Sequence, residues 1–287
     1  MSDGIINSST SANRFLYFFL FRDAVSFTLP DRSVGGTVTR VKDLVDRGFI
    51  YSGEVEGGTF KMVVSTTFEY VVTVEVPAEQ ALYELSLVDH DPTSDINSYV
   101  MRKVLYSVYE DMERNGYMSE DDAIVRSSGQ GASLPVHRDH RRLQGETDFN
   151  PDGISTIELM LVYTPQAAAA AGGESQMRLL CDMAVDDFNV ALDSSGITPQ
   201  VTVTLLCCEP VASGYVESSF SSMLMQMRTF DSIPLENGMK LSERRDALHA
   251  DAAHLLVANR ASCGMGSYSY NANTDGFSVG NYDTTVL

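Results

Sequence analysis

Few residues in this chain are equipped for chemistry, and their spacing limits what they can do. Five histidines are spread over 287 residues. His137 and His140 are three apart in a polar stretch, and His249 and His254 are five apart with no glutamate between them. A hydrolytic zinc site needs converging ligands and a carboxylate base. The first pair lies in a loop without a third ligand nearby and the second spans a helix-to-strand junction, so neither predicts a metal site. Cys181, Cys207, Cys208 and Cys263 form no CxxC pair, which argues against a structural zinc. On a strand Cys207 and Cys208 point to opposite faces and do not bridge each other. Buried thiols acting as small hydrophobes and a single disulfide both remain open. The clearest chemistry is cleavage of the chain itself. Arg138-Asp139-His140-Arg141-Arg142 sets paired basic residues in a polar stretch of an otherwise acidic chain, which suits a processing protease with an acidic cleft. A solvated charge run is the plainer reading of Arg138, Arg141 and Arg142.

The elements that must carry these residues fall into three stretches. Residues 1–92 read as β-rich. Val25, Phe27 and Leu29 alternate with polar residues, Thr37 to Val41 alternates again, and Phe49 to Val55, Thr59 to Ser65, Tyr70 to Val76 and Ala81 to Val88 follow, with Gly57-Gly58 as a hairpin signal. Short strands at this spacing suggest a small sandwich or barrel. In residues 93–153 the spacing of Tyr99, Val100, Lys103, Val104, Ser107 and Met112 predicts a helix over 96–114, stopped by Gly116. An exposed linker rich in Gly, Ser, Arg and Asp follows from Ser127 to Gly153 and holds the basic site.

Residues 154–287 change pattern. Ile157 to Tyr163 is a nearly continuous apolar run, as in a central strand covered on both faces. Met177, Leu180, Cys181, Ala184, Val185, Phe188 and Leu192 then share one helical face, with Gly196 and Pro199 as the stop. Val201 to Leu206 is the next strand, Leu241 to His249 a second helix, and Ala253 to Ala258 a third strand. This βαβαβ order predicts a mixed sheet with right-handed crossovers, and an α+β chain as a whole.

Composition excludes several functions. The net charge is −19 with a pI near 4.5, which repels nucleic acid and anionic membrane surfaces. The longest apolar run, Phe15 to Phe21, is far short of a membrane span. Arg22 and Asp23 follow it directly, so no clear signal peptide is read here. A monomer is the expectation for assembly.

The third stretch resembles the peptidyl-Asp metalloendopeptidases, reprolysin-like members of the metzincin clan. The matching residues are Ile157-Glu158-Leu159-Met160-Leu161-Val162-Tyr163-Thr164-Pro165-Gln166-Ala167-Ala168, then Gly172-Gly173 and the helix through Ala184 and Asn189. Ser195-Gly196-Ile197, Arg245-Asp246, Ala250-Asp251, His254-Leu255-Leu256-Val257, Cys263-Gly264-Met265-Gly266 and Phe277-Ser278-Val279 continue the match. Upstream, Tyr51-Ser52-Gly53-Glu54-Val55 is similar to the pro-segments of such enzymes. The resemblance implies secretion to the extracellular space, a zinc cofactor, and hydrolysis of protein or peptide substrates. It also implies that Gly264, Met265, Gly266, Ser267 and Tyr268, within a strand running to Tyr270, form an exposed edge that pairs with extended substrate. Gly264 and Gly266 would permit close approach of backbone, and Met265 would line a pocket. A surface loop is the plainer reading of that segment.

The departure from the family is equally specific. Its chemistry requires HExxHxxGxxH on a helix, and no such motif occurs in this sequence. The helix would begin shortly after Tyr282-Asp283, and Thr284 sits near where relatives carry a cysteine that would pair with one like Cys263. The expectation is therefore a metallopeptidase precursor cut off before its zinc helix, inactive as it stands and without a metal of its own. A pseudoenzyme that binds peptides is the alternative, and an unrelated acidic protein a third.

Overall fold

The computed structural model describes residues 4–7, 24–29, 32–67, 69–91, 96–105, 124–126, 153, 155–261, 264–268 and 276–282. The architecture is α+β and strand-rich, with one curled antiparallel sheet and one mixed sheet. The chain divides into two compact units, residues 1–117 with 168–183, and residues 118–167 with 184–287.

The first unit is a meander. Its strands are β1 (Gly4–Asn7), β2 (Ala24–Thr28), β3 (Ser33–Asp43), β4 (Gly48–Val55), β5 (Gly58–Ser65), β6 (Tyr70–Val76), β7 (Ala81–Asp91) and β8 (Ile96–Leu105). They lie in the order β1-β8-β7-β6-β5-β4-β3-β2, every neighbour antiparallel. The period-two alternation seen in the sequence explains the core: Phe27, Val34, Tyr51, Phe60, Met62, Val72, Val74 and Tyr83 all point to one face and are buried. The sheet is open, with β1 and β2 at its edges, so neither the expected sandwich nor a closed barrel is what the described residues form. At the hairpin, Gly57 takes φ +79, a turn conformation that favours glycine. Glu79 anchors the neighbouring short 3-10 turn. It accepts from Lys103 Nζ and Tyr83 Oη at 2.7 Å each and pairs with Arg32. The hydrogen bonds from Lys103 and Tyr83, with the nearby cations, hold its carboxyl down to about 2.

The helix expected over 96–114 is corrected: residues 96–105 are strand β8, and 106–114 lie outside the described residues. The apolar spacing there fits both periods. β7 offers a ladder from Ala81 to Asp91, and pairing Leu82 with Val104, Leu85 with Met101 and Ser86 with Val100 decides the matter. Tertiary pairing overrides a weak local preference.

The second unit carries β9 (Ile124–Arg126), β10 (Ser155–Tyr163), β11 (Val201–Pro210), β12 (Ala252–Val257), β13 (Gly264–Tyr268) and β14 (Phe277–Asn281). The order is β11-β10-β12-β14-β13-β9. β11, β10, β12 and β14 run parallel, and β13 is antiparallel to β14. Helices α1 (Pro165–Ala171) and α2 (Glu174–Ser194) lie between β10 and β11 in the chain, and α3 (Phe220–Met225) and α4 (Leu241–Leu248) between β11 and β12. One sheet face buries Met160, Val162, Leu255, Val257, Val279 and Met265 against Phe220, Met223, Leu224 and Leu241. α2 keeps Met177, Cys181, Ala184 and Val185 buried as its period predicts, but Phe188 is 55% exposed, so the apolar stripe ends a turn early. The helix stops where expected: Gly196 takes φ +68, and Ile197 N donates to Leu192 O.

The first positions of the β11 edge are met by a side chain and a turn. Asn189 on α2 accepts from Val203 N at 2.8 Å and donates to Val203 O at 2.8 Å. Val201 N donates to Ile197 O at 3.3 Å. Residues 201 and 203 share the side of β11 that faces away from β10, so these bonds satisfy both outward backbone groups of Val203 and the outward N–H of Val201.

Candidate peptide-accepting sheet edge

Three neighbouring strands put His254, Ser278 and Gly266 in one row, since the register pairs His254 with Ser278 and Ser278 with Gly266. His254 Nδ1 lies 2.7 Å from Ser278 Oγ, while Nε2 is buried with no partner among the described residues. Burial pushes the His254 imidazole down to about 4, so it is neutral at pH 7. A neutral histidine beside a serine is the beginning of a nucleophilic arrangement. Here β14 is flanked by strands on both sides, which makes the pair an internal polar contact of the sheet.

The carboxyl ends of β10 and β12 form the crevice where strand order reverses, the usual ligand position in an open α/β sheet. In this chain Glu217 fills it. Its carboxylate accepts from Ala258 N at 2.8 Å, Asn259 N at 2.9 Å and Thr164 Oγ1. Asn259 Nδ2 donates to Ser218 O, Asn281 Nδ2 donates to Asn259 O, and Thr164 Oγ1 accepts from Ala167 N at the start of α1. The position that a small ligand would take is held by the protein's own anion. The stretch around Glu217 shows no periodicity in sequence, and only the fold reveals its role.

Cys207 and Cys208 point to opposite faces of β11, as alternation predicts. Cys181 and Cys208 each take part in a disulfide, and Cys207 is free. Burial and the neighbouring Glu209 push the Cys207 thiol up to about 12, so it is not a nucleophile at neutral pH. Arg244 grips Glu209 through Nε at 3.0 and 3.1 Å and through its second nitrogen.

The five residues expected to hold substrate do form a strand, β13, but not the outermost one. Gly266, Ser267 and Tyr268 pair on their far side with Ile124, Val125 and Arg126 of β9, in parallel. The expectation of an exposed edge is thus corrected over Gly266–Tyr268, because a segment from before the basic linker occupies that position. Met265 is corrected too: it pairs with Val279 and lies in the core, 5% exposed, so it lines no pocket. Ser267 Oγ donates to Phe277 O at 3.0 Å. Of the glycines, Gly264 sits close to its neighbour, since a Cβ there would be 3.2 Å from Val279 O. At Gly266 the nearest atom, Ser278 Cβ, would be 3.7 Å away, an ordinary contact. Residues 269 and 270, and the processing residues Arg138, Arg141 and Arg142, lie outside the described residues. So do His137, His140, Cys263 and Thr284.

Sequence reading missed β9. Ile124-Val125 is a β-branched pair between Asp121-Asp122 and Arg126, too short to signal a strand without its partner.

The described residues do not fit the zinc that the resemblance implies. Among them no three His, Cys, Asp or Glu side chains come together as a metal site. His249 is exposed at the end of α4 with φ +58, and His254 turns Nδ1 to Ser278. No helix among the described residues is long and apolar enough to cross a membrane. No protein-family model matches the chain, and no curated protein matches it.

Proposed function

We propose that this chain is the pro-segment and substrate-side sheet of a secreted zinc endopeptidase of the reprolysin-like kind, and that these 287 residues hold an extended peptide without cutting it. The observation that supports the reading is β13. It follows β12, runs antiparallel to β14, and takes a further strand on its far side. Along Gly266–Tyr268, β9 takes the place beside β13 that an extended peptide would take in strand addition. The absence of HExxH and the lack of fit to zinc account for binding without hydrolysis. The partner class is therefore protein or peptide, and the place of action is outside the cell.

The test is direct. Isotope-labelled chain is titrated with an unstructured peptide library while mass spectrometry follows the peptides. Amide shifts at Gly264–Tyr268 and intact peptides are expected. Cleaved peptides, with stoichiometric zinc lost in a His249→Ala, His254→Ala variant, would show a metal centre that this reading denies.

A further inference from the structure

We propose that the carboxyl ends of β10 and β12 form a seat for a ligand carboxylate, filled in this state by Glu217 on an exchangeable strap, residues 212–219. Four observations carry it, and none depends on the peptide-binding reading. First, the donors are a matched set. Thr164 Oγ1 and Ala258 N donate to one oxygen of the Glu217 carboxylate and Asn259 N to the other. A group with two acceptor oxygens and no donor fits such a set. No cation among the described residues pairs with Glu217, so N–H and O–H dipoles alone meet its charge. Second, the donors are held without help from Glu217. Thr164 N donates to Leu256 O at 3.1 Å, Thr164 Oγ1 accepts from Ala167 N at 3.0 Å, and Asn281 Nδ2 donates to Asn259 O at 2.8 Å. The seat is preorganised, which lowers the cost of filling it. Third, it lies where β11 and β12 flank β10 on opposite sides, the reversal at which open α/β sheets take their ligands. Fourth, Ser218 Oγ and Gln166 Oε1 are buried and have no partner among the described residues. Unpaired buried polar atoms cost free energy. A carboxylate with a neighbouring hydroxyl or amide N–H offers them a donor, and that is the class of ligand assigned here.

The strap has few other ties. Its ends are fixed: Ala212 N donates to Pro234 O at 2.9 Å, and Ser219 caps α3, its side chain accepting from Ser222 N. Between them Ser213 and Gly214 are exposed, a Cβ on Gly214 would meet nothing within 4 Å, and Val216 is 73% exposed. Apart from Glu217, the strap is held by Gln166 Nε2 donating to Tyr215 O, Tyr215 Oη donating to Gln226 Oε1, and Asn259 Nδ2 donating to Ser218 O. An arriving carboxylate replaces Glu217 bond for bond, so what it must overcome is chiefly the high local concentration of a tethered rival.

The experiment uses the whole isotope-labelled chain, unaltered and as Glu217→Ala, with circular dichroism to check folding. The amides of Ala258 and Asn259 are followed as acetate, glycolate, or a tripeptide with a free or an amidated C-terminus is added, with chloride at matched ionic strength as the control. In Glu217→Ala the carboxylates are expected to shift both amides saturably and chloride to leave them in place. Glycolate should bind more tightly than acetate, through its hydroxyl. In the unaltered chain the same end point should need about a hundredfold more carboxylate, and the amides of Gly214 and Glu217 should move with it. A response to the free but not the amidated tripeptide would make a peptide end an occupant, and a response to the small acids alone would exclude one; both keep the seat. A folded Glu217→Ala chain with no saturable shift, or with an equal shift from chloride, would overturn the seat. Equal affinities for acetate and glycolate would overturn the role of Ser218 and Gln166. A response in the variant with none in the unaltered chain would overturn the exchangeable strap. If Glu217→Ala does not fold, the unaltered chain decides: the paired shifts of strap and seat support the proposal, and their absence overturns it.

Discussion

His254 uses its two ring nitrogens differently, Nδ1 meeting Ser278 Oγ and Nε2 meeting nothing among the described residues. Its imidazole is pushed down to about 4 from an ordinary value of 6.5. A depressed value means that the unfolded chain takes up the proton first. The neutral ring costs nothing above pH 6.5, and stability is lost as pH falls from there through about 4. That loss amounts to about 3 kcal/mol for this group. Denaturant titrations of the unaltered chain and of His254→Gln from pH 7 to pH 4 should diverge, with the variant losing less. Parallel curves would remove His254 as the cause. This role was invisible in the sequence, where His254 read only as a failed metal ligand, because burial is a property of the fold. The opposite orientation of Cys207 and Cys208 was legible from alternation, whereas the involvement of Cys181 and Cys208 in disulfides was not, since spacing does not fix connectivity.

At the scale of elements, what could be read depended on how much each element relies on its neighbours. β4 to β6 alternate cleanly and were recognisable alone. β8 was not, because its apolar residues suit a helix until β7 supplies a ladder. β9 has three residues and, among the described residues, pairs only with β13. Packing between strands also makes a sharp prediction about two glycines that look alike in sequence. A Cβ on Gly53 in β4 would lie 2.0 Å from Thr37 O and 2.6 Å from Phe60, while one on Gly35 in β3 meets nothing within 4 Å. Gly53→Ala should destabilise the chain by roughly 2 kcal/mol or more, as overpacking does, and Gly35→Ala should change it by less than about 0.5 kcal/mol. Equal midpoints for the two variants in urea would contradict the close approach of β3 and β4.

For the molecule as a whole, the α+β class and the succession of a β-rich stretch and a βαβαβ stretch followed from residue patterns. The openness of the first sheet and the self-covered edge of the second did not, because both depend on which strands find each other. Charge acts at this scale too. A chain of net charge −19 with Arg138, Arg141 and Arg142 clustered in it offers a basic-site protease a local attraction there. Expressed in a secreting host, the chain should yield a product whose N-terminus follows Arg141 or Arg142, read by N-terminal sequencing. An intact chain recovered from the medium would remove processing from the account.

The bonds that Asn189 and Ile197 make to β11 reach further than local tidiness. Polymer growth through a sheet needs two free ends per unit, so that each molecule added presents a fresh site for the next. With the first positions of β11 already bonded, the stretch of that edge open to another chain is shortened, which disfavours fibre growth through it.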